Sequence, residues 1–98
     1  MTRQNYINEI NKALNEIEGN RKYDFHHMTA DDAMKVFRET SENAVGLLIP
    51  YTMKSVTKAK EEFARMAAMC MICMEVSDFM ITIIKKQECV KGDGVDKM

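Results

Sequence analysis

Apolar side chains recur at helical spacing along the first half of the chain and crowd together in the second. Tyr6, Ile7, Ile10, Leu14 and Ile17 fall on one helical face, while Asn5, Asn8, Asn11 and Asn15 keep the other faces polar. Thr2 is placed to cap this helix, and Gly19 to end it by adopting the left-handed conformation, so a first helix is predicted from Thr2 to about Glu18. Its many Asn residues are weak helix formers, and the helix is expected to depend on docking its Ile/Leu stripe. A second helix is predicted from Thr29, with a hydroxyl cap and Asp31 and Asp32 in the first turn, where the helix dipole favours them. Its inward stripe reads Ala33, Met34, Phe37, Ser41, Ala44, Val45 and Leu48, and Pro50 sets its end at Ile49.

The third pattern dominates. From Thr52 to Glu88 there is no Gly or Pro, and from Phe63 to Ile84 the only charges are Arg65, Glu75 and Asp78. This stretch reads as one long helix, with Ser77–Asp78 as a candidate break, turned back on the second helix by Pro50–Tyr51 to form a helical hairpin. Val56, Phe63 and Cys70 lie on one line of it, and Met66, Met69, Cys73, Val76, Met80 and Ile83 on another, so two of its faces are expected to be covered. Two short helices offer too little surface for that, and a second copy of the chain is the cheapest cover. The expected architecture is therefore an all-α domain over residues 1–90, in an oligomeric bundle whose interface includes Phe63, Met66, Met69, Cys73, Val76 and Met80. Beyond it, residues 91–98, with Gly92 and Gly94, read as a disordered tail.

Length and charge narrow the picture. A chain of 98 residues is one domain with little stability to spare. Its net charge of −1 gives no broad field toward DNA, RNA or anionic lipid. The start, Met1-Thr2-Arg3-Gln4-Asn5, lacks an apolar signal segment, and three cysteines without scaffold spacing suit a reducing compartment, so a cytoplasmic location is expected. The Phe63–Ile84 run is long enough for a bilayer, but its three charges argue against a membrane partner.

Candidate chemistry is sparse. Cys70 and Cys73 are spaced to put both sulfurs on one helix face, able to share a metal or a redox role, or to act as small packers among the methionines. A redox pair belongs at a helix N-terminus and structural zinc needs further ligands, so neither metal nor cofactor is assigned. Residues 20–28 hold Tyr23, Phe25, His26 and His27 in one irregular segment, either as rings folded back over a helix end or as a ligand-facing strip. Lys54, Lys58 and Lys60 crowd the start of the long helix, where cations are disfavoured; a bound anion resolves this, as does solvation beside Glu61 and Glu62. No Ser/His/Asp set, Gly-rich phosphate loop or paired carboxylates appear, and the chain reads as non-enzymatic.

The run Tyr23–Asp24–Phe25–His26, the later Phe37–Arg38, and Thr57–Lys58–Ala59–Lys60–Glu61–Glu62–Phe63 leading into Met66–Ala67–Ala68–Met69–Cys70 resemble the small phage proteins that act as sponges for cyclic oligonucleotide signals. The resemblance covers about half the chain. It implies a helical homo-oligomer that inhibits anti-phage signalling by holding a cyclic di- or trinucleotide. Tyr23, Phe25 or His26 would stack on a base, and Arg38, Lys54 or Lys58 would meet phosphate. The chain departs from that family in its extra N-terminal helix, a shorter link from Arg38 to the long helix, methionine in place of a usual Trp, and the apolar extension from Val76 to Ile84. Three functional readings follow: a homo-oligomer that binds a protein target, a cyclic-nucleotide sponge, or metal or redox chemistry at Cys70 and Cys73.

Overall fold

The computed structural model describes the backbone of residues 2–95 and the side chains of residues 2–88; the tail expected over 91–98 lies outside the residues described in full. Three helices account for the described chain: α1 (Arg3–Ile17), α2 (Ala30–Leu48) and α3 (Met53–Val95), with a single 3-10 turn at Arg21–Tyr23. The fold is all-α. Local signals set most of the boundaries. Gly19 takes φ +79° after α1, and the Asn20 side chain then accepts a hydrogen bond from the Lys22 amide at 3.0 Å, turning the chain into the 3-10 segment. Thr29 caps α2 by accepting from the Asp32 amide at 3.2 Å. Thr2 occupies the corresponding position of α1 without a side-chain cap; its carbonyl accepts from the Asn5 amide instead.

Between α2 and α3 the chain reverses through Pro50 and Tyr51, and Tyr51 sits at φ +57°, a region that L-residues with a Cβ rarely occupy. α3 starts on a reciprocal cap, in which the Thr52 hydroxyl accepts from the Ser55 amide at 3.1 Å and the Ser55 hydroxyl accepts from the Thr52 amide at 3.3 Å. From there it runs without interruption. The Ser77 hydroxyl, a candidate break, donates to the Cys73 carbonyl at 2.8 Å and leaves the helix continuous.

α1 and α2 flank the first half of α3. α1 runs parallel to it, with Tyr6 beside Lys60 at one end and Ile17 beside Ile72 at the other, while α2 returns antiparallel. The core is one cluster of Ala13, Ile17, Phe25, Ala68, Met69 and Ile72. It continues toward the turn through Thr40, Ala44 and Ala59, all buried. Ala44 and Ala59 let α2 and α3 approach closely, and the buried Thr40 hydroxyl is satisfied by the Val36 carbonyl at 2.8 Å.

This docking rotates α2 relative to the face expected from its pattern. Ala33, Val36, Phe37, Thr40 and Ala44 point inward, whereas Met34, Val45 and Leu48, read as part of the inner stripe, are exposed. The small residues at Ala44 and Thr40 give the tighter approach, and that places the larger Met34 and Val45 outside.

α3 outruns its cover. Its 43 residues reach about 64 Å at about 1.5 Å per residue, matching the 65 Å long axis of the molecule. The radius of gyration is 18.4 Å, against about 13 Å for a compact chain of this size. Contacts with the core end at Val76. Past that point Phe79, Met80, Ile81, Ile83 and Ile84 are all exposed.

Candidate functional site

The loop between α1 and α2 is one place where the sequence gathers ring and imidazole groups. Phe25 is buried and its ring lies 5.4 Å from that of Phe37, so it serves as the plug that closes the core beneath the loop. Tyr23 is half-buried beside it. His26 is exposed and meets Phe79 of α3 edge-on, with ring centroids 6.1 Å apart. His27 turns to Asp24, Nδ1 to Oδ2 at 2.9 Å. A cleft of 260 Å³ opens here, lined by residues that include Glu18, Arg21, Tyr23, Asp24, His26 and Ile72. It is slightly smaller than the usual range of ligand pockets, from about 300 Å³ upward, and its Glu18 and Asp24 carboxylates oppose an anion.

The basic residues expected to share this ligand are elsewhere. Lys54 and Lys58 are exposed on the first turns of α3, and about 21 Å of helix separates Lys58 from Ile72 in the cleft wall at about 1.5 Å per residue. Arg38 is exposed on α2. Tyr23 and His26 therefore come together within one chain, while Arg38, Lys54 and Lys58 do not join them. At the start of α3, the Thr52–Ser55 reciprocal cap already satisfies part of what an anion would have found there.

The two cysteines stand in the middle of α3, far from a helix end. Cys70 is exposed and Cys73 half-buried. Burial, and secondarily the neighbouring Cys70, pushes the Cys73 thiol above its ordinary pKa, the direction that opposes thiolate chemistry. Among the described residues no group of three or more His, Cys, Asp or Glu side chains is placed to hold a metal ion.

The remaining candidate is the surface of α3 itself. Of the residues expected at an interface, Met69 is wholly buried in its own chain, and Met66, Cys73 and Val76 are half-buried. Their line faces α1, α2 and the loop, so this chain covers that side of α3 over the body. Phe63 and Met80 remain exposed, joined by Met74 and Ile81, which the expected set did not contain. The signal that would have found them is the first of the two lines in α3, Val56–Phe63–Cys70, extended by its heptad partners.

By length and composition α3 also passes for a membrane-crossing helix: an 18-residue stretch within Met53–Glu88 has a mean hydropathy of 1.8 and is only 17% buried. Glu75 and Asp78 are both exposed on it.

Comparison with protein-family models, with curated proteins and with solved structures finds no match to this chain.

Proposed function

We propose that this chain is a non-enzymatic helical interaction protein that works as a homo-oligomer through α3. The observation that carries the reading is the apolar length of that helix beyond the core: Phe79 and Met80 are each 57% exposed past the last core contact at Val76, even with His26 meeting the Phe79 ring edge-on. Apolar surface of this extent on a 98-residue chain marks an interaction site rather than a solvated face. An elongated monomer gains nothing from it. Light scattering tests the reading, with an oligomer expected at about 100 µM and a strict monomer there ruling it out. Met74→Lys should shift the population toward monomer with helicity unchanged, because Met74 is 68% exposed and contributes little to its own chain's core. A protein target engaged by the same oligomer, as a phage or mobile-element inhibitor would need, is part of this proposal.

A second reading, a sponge for cyclic di- or trinucleotides, is favoured by the meeting of Tyr23, Arg21 and His26 at one cleft. Thermal shift against a panel of cyclic nucleotides tests it. A rise in melting temperature that disappears in Tyr23→Ala supports the sponge; no rise at millimolar ligand removes it.

A further inference from the structure

The line Ala59–Met66–Cys73–Met80 recurs at every seventh residue of α3 and so keeps to one face. The chain covers that face as far as its core reaches: Ala59 is buried, and Met66 and Cys73 are half-buried. Met80, the next member, is 57% exposed. Around it the apolar length of α3 is built as a ridge. Val76, Met80 and Ile84 follow one another at intervals of four, with Phe79–Ile83 on one flank and Ser77–Ile81 on the other. Val76 is half-buried at the edge of the core, and the rest are exposed.

From this arrangement we infer that the ridge packs on the same ridge of a second copy running antiparallel, the two α3 helices crossing at Met80 about a two-fold axis. The inference rests on the homo-oligomer reading above and adds the contact, the orientation and the register. Ridges spaced at four interlock at a crossing angle of about 50°, so the helices meet over the length of the ridge and then diverge past each other's bodies. The register follows from the ridge's centre. Met80 meets Met80, Val76 comes level with Ile83 of the other copy, and Ser77 with Ile84 of the other copy.

Two observations set the orientation. The body of each copy lies on the Met80 side of α3, because the core with α1, α2 and the loop covers Met69, Cys73 and Val76 there. A parallel pair would crowd both bodies between helices whose axes approach to about 8–10 Å, when a single helix is about 10 Å wide. An antiparallel pair sends the bodies to opposite ends. Charge points the same way. The end of the body beside Ile72 carries Glu18, Asp24, Asp31 and Asp32, which outnumber Arg21 and Lys22, whereas the far end of the ridge runs into Lys85 and Lys86. Antiparallel crossing brings the lysines of each copy to the acidic end of the other, and parallel crossing sets lysines beside lysines. Met74 lies level with the incoming lysines, so a lysine at that position adds like charge to the contact.

The contact is small. Phe79, Met80, Ile81, Ile83 and Ile84 are between 39% and 57% exposed. At on the order of 150–250 Å² per bare side chain they offer roughly 400 Å² per copy, and roughly 800 Å² for a pair belongs to the weak, exchanging class of interfaces. The dimer should therefore dissociate on dilution.

Cysteine pairing in the full chain reads the register. With Cys70, Cys73 and Cys89 changed to Ser, a Ser77→Cys, Ile84→Cys variant should on mild oxidation yield covalent dimers whose digests link 77 to 84. Within one chain these positions are about 10 Å apart along α3 at about 1.5 Å per residue. A disulfide spans only about 4.4–6.8 Å between Cα atoms, so the link reports a contact between copies. Lys85→Glu with Lys86→Glu lies outside the core and should weaken the dimer about tenfold or more in light scattering. Digests linking 77 to 77 and 84 to 84, or an affinity unmoved by the charge reversal, would overturn the antiparallel crossing and leave the homo-oligomer reading standing. A wild-type monomer in buffer would overturn both, and if that monomer floats with phosphatidylcholine vesicles the occupant of the ridge is a bilayer.

Discussion

Met69 and Met74 lie a little over one turn apart on α3 and do opposite things. Met69 is the largest wholly buried side chain and sits at the centre of the core cluster, whereas Met74 faces outward. Met69→Ala should therefore cost about 2–5 kcal/mol of folding stability, the range for emptying a packed core position, read as a lower urea midpoint. Cys73 gives a second prediction at this scale. Its folded pKa is raised by burial first and by Cys70 second, so the protonated thiol is favoured in the fold. That contribution is fully present below the ordinary thiol value of 9.0 and is lost as pH climbs through the higher folded one. Stability should fall on the alkaline side of 9.0, and Cys73→Ala should flatten that fall in denaturation curves measured between neutral and alkaline pH. What the sequence made legible at single residues were the backbone specialists: Gly19 after α1, Thr29 before α2 and Pro50 in the turn act through their own geometry. The burial of Phe25 was one of the two readings open for the loop rings, and what decides for it is where Phe37 arrives from another element.

At the scale of elements, helix identity follows from pattern but helix orientation does not. α2 has apolar side chains on more than one face, and the face that docks is chosen by how closely Ala44 and Thr40 let α2 approach α3. Met34 and Val45 look equally apolar in the sequence and end outside. α3 offered two lines of apolar residues, and only the packed structure shows that Met69–Cys73–Val76 is used within the chain while Phe63–Cys70 is left over. The same limit separated the candidate ligand residues: Tyr23 and His26 come to one cleft by way of the loop, while Lys54 and Lys58 stay at the opposite end of the body. The turn joining α2 to α3 carries its own cost. Tyr51 is 89% exposed and contributes little packing, yet holds a left-handed backbone. Glycine would relieve about 1–2 kcal/mol of that steric cost and give back about 0.5–1 kcal/mol in chain entropy. Tyr51→Gly should thus match or slightly exceed wild type in urea denaturation. Tyr51→Val, with a branched Cβ in the same conformation, should fall below it.

At the scale of the whole molecule, the contrast between body and extension makes a prediction that neither residues nor elements make alone. The core cluster and everything packed on it end at Val76, so a chain terminated there retains α1, α2 and the part of α3 they enclose. It should remain helical and unfold cooperatively. What it loses is the exposed apolar length of α3, with Phe79, Met80, Ile81, Ile83 and Ile84. Mass action then separates the two chains: an oligomer's melting temperature rises with protein concentration, and a monomer's does not. Thermal unfolding at two concentrations about tenfold apart should show a concentration-dependent midpoint for the full chain and a fixed one for the truncated chain. If both midpoints are fixed, the exposed length of α3 is not an interface between copies. If both move, the contact lies on the body instead, where Met34, Val45 and Leu48 form the next exposed apolar face.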